Sequence, residues 1–294
     1  MTPSSASGQT QAKAAPLLAA LAALISVQVG AAFAKGLFPL VGPEGVAALR
    51  IGISALGLTL ILRPWRLRLD RRRGLALLGY GVTLGLMTLL IYRAFAYIPV
   101  GIAISIEVLG PLGVALLGSR RRRDVLWIAL ALLGVALLPF GAGETGLDWR
   151  GVAFALSAAL CWGLYVAFGS AVAAEGGRAV AAGMLLATLF ILPLGIQGAG
   201  WALLEPEALM IGAAVALMSS ALPFLLDIYA MKRLPPRIFG VLMSASPAVS
   251  ALAGWAVLGE RLSGAQWSGI FAIAAACAGG ALGAGEAQEP PRSS

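Results

Sequence analysis

The sequence predicts an all-α integral membrane protein: ten transmembrane helices in two inverted-topology repeats of five helices each. Three observations carry this. Of 294 residues, 60% are hydrophobic and only 12% charged, more apolar surface than a water-soluble domain of this length can hide. The chain also divides into ten apolar stretches joined by short polar loops, and a helix needs about 20 apolar residues to cross a hydrocarbon core roughly 30 Å thick. Finally, the run from Pro99 to Pro111 is written again from Pro235 to Pro247. Both proline pairs are twelve residues apart, and at an offset of 136 Ile102 to Pro111 runs parallel to Ile238 to Pro247. Five spans per half is odd, so two similar halves must insert with opposite orientation, as in many secondary transporters.

Taken in chain order, the spans are expected at 16–34, 45–62, 74–96, 99–118, 125–140, 151–171, 178–196, 208–230, 237–257 and 265–284. The first repeat covers 16–140 and the second 151–284, with polar tails at 1–15 and 285–294. The first apolar run is too long for a signal-peptide core and has no convincing cleavage site, so it is expected to stay as a span. Its segment Ser26 to Lys35 resembles Cys161 to Ser170, and Trp127 and Trp267 each stand near the start of the last span of a half.

The formal net charge of +8 would suggest nucleic acid in a soluble protein, but here the basic residues sit in short loops, where they set orientation. Arg63, Arg66, Arg68, Arg71, Arg72, Arg73, Arg120 to Arg123, Lys13, Arg178, Lys232, Arg233, Arg237 and Arg292 fall on one side, against Lys35, Arg150 and Arg261 on the other. The positive-inside rule makes the first side, and both termini, cytoplasmic. Glu44, Glu144, Asp148, Glu205, Glu207 and Glu260 fall on the opposite side. Expected partners are the lipid bilayer and a small molecule, with no nucleic acid. Cys161 and Cys277 lie inside spans and read as packing residues. Close glycine pairs such as Gly81 and Gly85, or Gly279 and Gly283, permit close helix approach without implying a dimer, and a monomer is expected.

Enzyme chemistry finds no support. There is no G-x-x-x-x-G-K-[ST] phosphate loop, and a chain without histidine offers neither a serine–histidine dyad nor a histidine zinc site. No cofactor and no metal are expected. A channel or a passive helper subunit stays open beside a carrier, and the repeat favours the carrier.

Several runs carry a family likeness: Phe38-Pro-Leu-Val-Gly, Ala47 to Arg50, Pro64 to Arg68, Ile106 to Pro111, Ala221 to Asp227, and above all Arg233 to Ser244. Over nearly its whole length the chain resembles the bacterial EamA-type transporters of the drug/metabolite transporter superfamily. Within these it is most similar to the threonine and homoserine exporters, and next to the aromatic amino-acid exporters. The resemblance implies ten helices in two inverted repeats, cytoplasmic termini and efflux of amino acids across the inner membrane; another small metabolite or drug-like compound is the alternative cargo. It also implies an acid just before the second-half proline, where this chain has Ser246.

The buried polar groups supply candidate site residues. A charge at the bilayer centre costs ~2.5–3.5 kcal/mol on insertion scales, so it is paired or functional. Glu107 lies eight residues past Pro99, roughly 12 Å along a helix and so near the midplane; Arg50 lies a few residues into the second span. They form either a structural ion pair or a cavity pair in which Glu107 meets the substrate ammonium or carries a proton. Arg93 and Asp227 occupy similar places near span ends, each reaching its own interface or serving a gate. Trp162, mid-span and one turn before Tyr165, is a packing residue or a wall of the central site, and Tyr80 and Tyr92 are candidates of the same kind. Gln28, Ser219, Ser220, Ser244 and Ser246 offer hydrogen bonds suited to a zwitterion, although serines in membrane helices also bond their own backbone. Pro111, Pro193, Pro223 and Pro247 lie inside spans, where each removes a backbone hydrogen bond. The fourth and ninth spans are expected to bend at Pro111 and Pro247, beside the cavity.

Overall fold

The computed structural model describes residues 4–117, 124–140 and 147–288. The charged positions Arg120 to Arg123, Glu144 and Arg292 lie outside the described residues. Among those described there are thirteen α-helices and no strand: α1 (Ser4–Gly36), α2 (Phe38–Leu62), α3 (Arg71–Tyr97), α4 (Val100–Glu107), α5 (Leu109–Leu117), α6 (Asp124–Leu137), α7 (Trp149–Val172), α8 (Gly177–Ala199), α9 (Pro206–Ala216), α10 (Leu222–Met231), α11 (Pro236–Met243), α12 (Ser246–Leu258) and α13 (Gly264–Gln288). Among the described residues eight stretches are long and apolar enough to cross a membrane, whereas Val100–Leu116 and Asp124–Leu137 are apolar but shorter. The helix α1 begins at Ser4, inside the stretch that the sequence reads as a polar tail.

Local sequence accounts for the boundaries. The helices α3 and α7 start at capping aspartates: Asp70 and Asp148 accept hydrogen bonds from the backbone N–H of Arg73 and Arg150, each at 2.8 Å, which satisfies donors a helix start leaves free. A kink near the start of α2 falls at Gly42, whose φ of 68° suits a residue without Cβ, and Pro43 then opens the straight part of the span. Pro193 lies within α8 without interrupting it.

The duplicated proline run gives duplicated structure. Pro99 (φ −57°, ψ 144°) and Pro235 (φ −56°, ψ 139°) are both extended, and each precedes a helix of eight residues, α4 and α11. Those helices stop at Val108 (φ −64°, ψ −13°) and Ser244 (φ −65°, ψ −16°), which the same offset relates. The cause is shared: Pro111 and Pro247 have no N–H for the carbonyls of Glu107 and Met243 four residues earlier. A third interruption separates α9 from α10, where Leu217–Ala221 forms a π-turn just before Pro223.

The main packing contacts join the first half of the chain to the second. The helix α3 lies on α7 and α8, α2 on α8 and α9, α1 on α10 and α12, α4 on α12 and α7, α5 on α7, and α6 on α13. At the α4–α12 crossing a Cβ on Gly101 would lie 2.6 Å from the Ala251 Cα, so only glycine allows this approach. The interior is rich in alanine and other small residues, while Leu60, Ile61, Leu132, Leu189 and Leu225 point outward, exposed. That distribution suits lipid, where helices associate through close contact of small residues and not by expelling water.

Candidate functional site

A cavity of about 460 Å³ lies where α1, α2, α3, α4, α7, α8 and α10 meet, with the π-turn in its wall, a size typical of small-molecule sites. Its lining includes Gln28, Arg50, Thr88, Tyr92, Glu107, Trp162, Tyr165, Ser219, Ser220 and Asp227. Both halves of the chain therefore contribute polar groups to one space.

Pro223 builds one wall of it. Leu222 N–H bonds back to the Leu217 carbonyl, and the next residue, a proline, has no N–H to give. The carbonyls of Met218 and Ser219 are left for other donors. Ser26 Oγ donates to the first at 2.7 Å and Arg50 Nη2 to the second at 3.3 Å. Arg50 Nη1 donates to Tyr92 Oη at 3.1 Å, and the guanidinium carbon stands 5.7 Å from the centre of the Tyr92 ring. The guanidinium is thus fixed by a side chain of the first half and a backbone group of the second.

Glu107 is buried at 5% exposure and lines the same cavity, yet the pair with Arg50 is not closed. The ion pairs among the described residues are Lys35–Glu260, Arg73–Glu175 and Arg93–Glu44. Arg93 Nε bonds Glu44 Oε1 at 2.8 Å, joining α3 to α2, and Arg93 lies outside this cavity. Asp227, its counterpart in sequence position, does line the cavity.

Trp162 and Tyr165 come together with the polar groups. Tyr80 stands one layer back, stacked on Tyr165 with ring centres 4.6 Å apart and hydroxyls 2.9 Å apart. Ser244 and Ser246 lie elsewhere, on a second and mostly apolar cavity of about 390 Å³ that also touches Gln28, Trp162 and Asp227. Pro111 and both helix interruptions border this second cavity, whereas Pro247 is buried beside it. Ser244 Oγ donates to the Val241 carbonyl at 2.5 Å, a bond to its own backbone. Sequence reasoning did not single out Thr88, Met184 or Phe224 as site residues. The sequence around them carries no signal, because which face of a span meets the cavity depends on packing across the two halves.

At the end of the bundle away from the Arg63–Arg73 loop, ring and charge contacts tie the helices together. Tyr92 packs on Phe38 and Phe95, with ring centres 6.2 and 5.7 Å apart. Lys35 Nζ donates to Glu260 Oε1 at 2.7 Å and to the Ile98 carbonyl at 3.1 Å. Glu260 Oε2 accepts the Val100 N–H at 2.9 Å, so one carboxylate holds the end of α1 and the start of α4.

A multi-pass helical membrane protein with a polar cavity between two halves has the form of a transporter. The chain belongs to the EamA-like transporter family, within the drug/metabolite transporter superfamily; residues 149–279 match the family directly. It is 46% identical over 269 residues to the threonine/homoserine exporter RhtA of Salmonella typhimurium, covering 91% of each chain. It is 45% identical, with the same coverage, to RhtA of Escherichia coli K12. One solved crystal structure shares the fold, at a TM-score of 0.57 and 22% identity, over 92% of this chain and 98% of that one. These relatives are exporters, not enzymes.

Proposed function

We propose that this protein exports small neutral amino acids, threonine and homoserine foremost, from the cytoplasm across a bacterial inner membrane. All ten apolar segments cross the bilayer, both termini are cytoplasmic, and the repeats 16–140 and 151–284 alternate access to one central site. The observation that carries the reading is the cavity itself, in which a fixed cation, Arg50, faces the same space as two carboxylates, Glu107 and Asp227. A zwitterion offers opposite charges to both. The exporters to which the chain is similar supply the substrate class.

The packing supports the two-repeat arrangement. Exchanging the halves turns the α3–α7 contact into α1–α10, α3–α8 into α2–α9 and α5–α7 into α1–α12, while α2–α8 and α6–α13 map onto themselves. Two similar units of opposite polarity can trade conformations and open the site to either side in turn.

Cells fed a threonine-containing dipeptide provide the test. Production of the protein is expected to lower internal threonine and speed its release. Equal release with and without the protein, from cells whose membranes contain it, rules the reading out.

A further inference from the structure

Six buried side-chain atoms lack a hydrogen-bond partner among the described residues, and four of them belong to residues of the 460 Å³ cavity: Gln28 Oε1, Arg50 Nε, Ser219 Oγ and Asp227 Oδ1. Buried polar groups are normally satisfied, so this concentration marks where a ligand's polar groups belong. The four fall into two pairs. Arg50 and Ser219 are already joined through the Ser219 carbonyl, and what they leave over, a guanidinium N–H and a hydroxyl, can both donate. Gln28 Oε1 and the Asp227 carboxylate are acceptors, carried by α1 and α10, which pack together. Gln28 is 4% exposed. The acceptor pair also borders the second cavity, with Trp162, whereas the donor pair does not.

We infer that the site grips an α-amino acid at two poles, with the carboxylate on Arg50 and Ser219, the ammonium on Gln28 and Asp227, and the side chain in the apolar cavity beyond Trp162. This rests on the amino-acid reading above and names its specificity determinants. Burying either charged end unpaired is costly, so the two poles select molecules that carry both. Glu107 then balances the Arg50 charge when no carboxylate is bound. The second cavity, walled by residues such as Leu24, Val108, Leu112 and Met243, ranks substrates by apolar side-chain volume.

Counterflow by purified protein in liposomes, with labelled threonine, methionine and alanine side by side, tests this in three arms. In the wild type, the 2-hydroxy acid and the carboxamide analogues of the substrate are expected to compete far less well than the amino acid. Asp227→Asn and Gln28→Leu should each raise KM by about tenfold, the loss of one hydrogen bond to a charged group. Met243→Phe, which fills the apolar cavity, should raise KM for methionine several-fold more than for alanine. For a variant too slow to exchange, the rise in melting temperature on adding amino acid gives the same affinity ranking. Equal competition by the hydroxy acid, unchanged affinity in both acceptor variants, or an equal effect of Met243→Phe on all substrates overturns the assignment. If the wild type exchanges no amino acid at all, the proposed function fails first; if it does and these arms fail, only the two poles are wrong.

Discussion

Arg50 shows how one residue can join the halves of a transporter. Its two terminal nitrogens are committed, one to Tyr92 and one to the Ser219 carbonyl, and only a planar guanidinium can do this and still present Nε. Arg50→Lys keeps the charge and loses the fork, so we expect membrane levels near wild type and exchange reduced about tenfold or more. Immunoblotting beside counterflow checks it, and full activity in the lysine variant would remove Arg50 from the site. For Trp162, which touches both cavities, we propose a role in selectivity: Trp162→Ala is expected to reorder substrates by KM more than it lowers the amount of protein. A uniform loss that follows expression would make it a packing residue. At this scale the sequence was silent about direction. Spacing from Pro99 gives an expected depth for Glu107, but nothing in the chain said that Arg50 bonds Tyr92 and a carbonyl 169 residues away in place of Glu107.

Among the elements, the paired proline runs were legible because proline acts on the carbonyl four residues before it whatever the tertiary setting. Hence α4 and α11 have the same length and the same terminal dihedrals. The π-turn was not legible. Its extra residue turns everything after it by about 100° relative to a continuous α-helix, and Asp227 comes after it. Sequence position alone therefore left Asp227 between interface and gate, while the structure turns it onto both cavities. Pro223→Ala restores an N–H and lets the Met218 and Ser219 carbonyls bond within the helix, away from Ser26 and Arg50. We expect an equal or higher melting temperature together with weaker exchange; unchanged exchange would show that the π-turn does not shape the site.

For the whole molecule, the proposed alternation would have to break the charged contacts at the Lys35–Glu260 end. Lys35–Glu260 is partly buried, with side chains 24% and 13% exposed, and neither residue lines the cavity. Glu260→Gln should weaken this end by about 1–3 kcal/mol, the range for hydrogen bonds to charged groups and their loss, while leaving substrate KM unchanged. A Phe95→Cys reporter, facing the cavity, is then expected to react faster with a membrane-impermeant reagent added from that side. An equal labelling rate would mean that the pair does not hold this end shut. These contacts span 160 and 225 residues, which is why no local pattern in the chain pointed to them.

In the proposed mechanism the two halves carry an amino acid by opening one site to either side in turn. Counterflow of labelled threonine into liposomes holding the purified protein is the decisive test. A carrier of this kind gives saturable uptake that is accelerated by unlabelled threonine inside and lost in Arg50→Ala. Flux that rises in proportion to concentration and ignores threonine on the far side would describe a pore and contradict it.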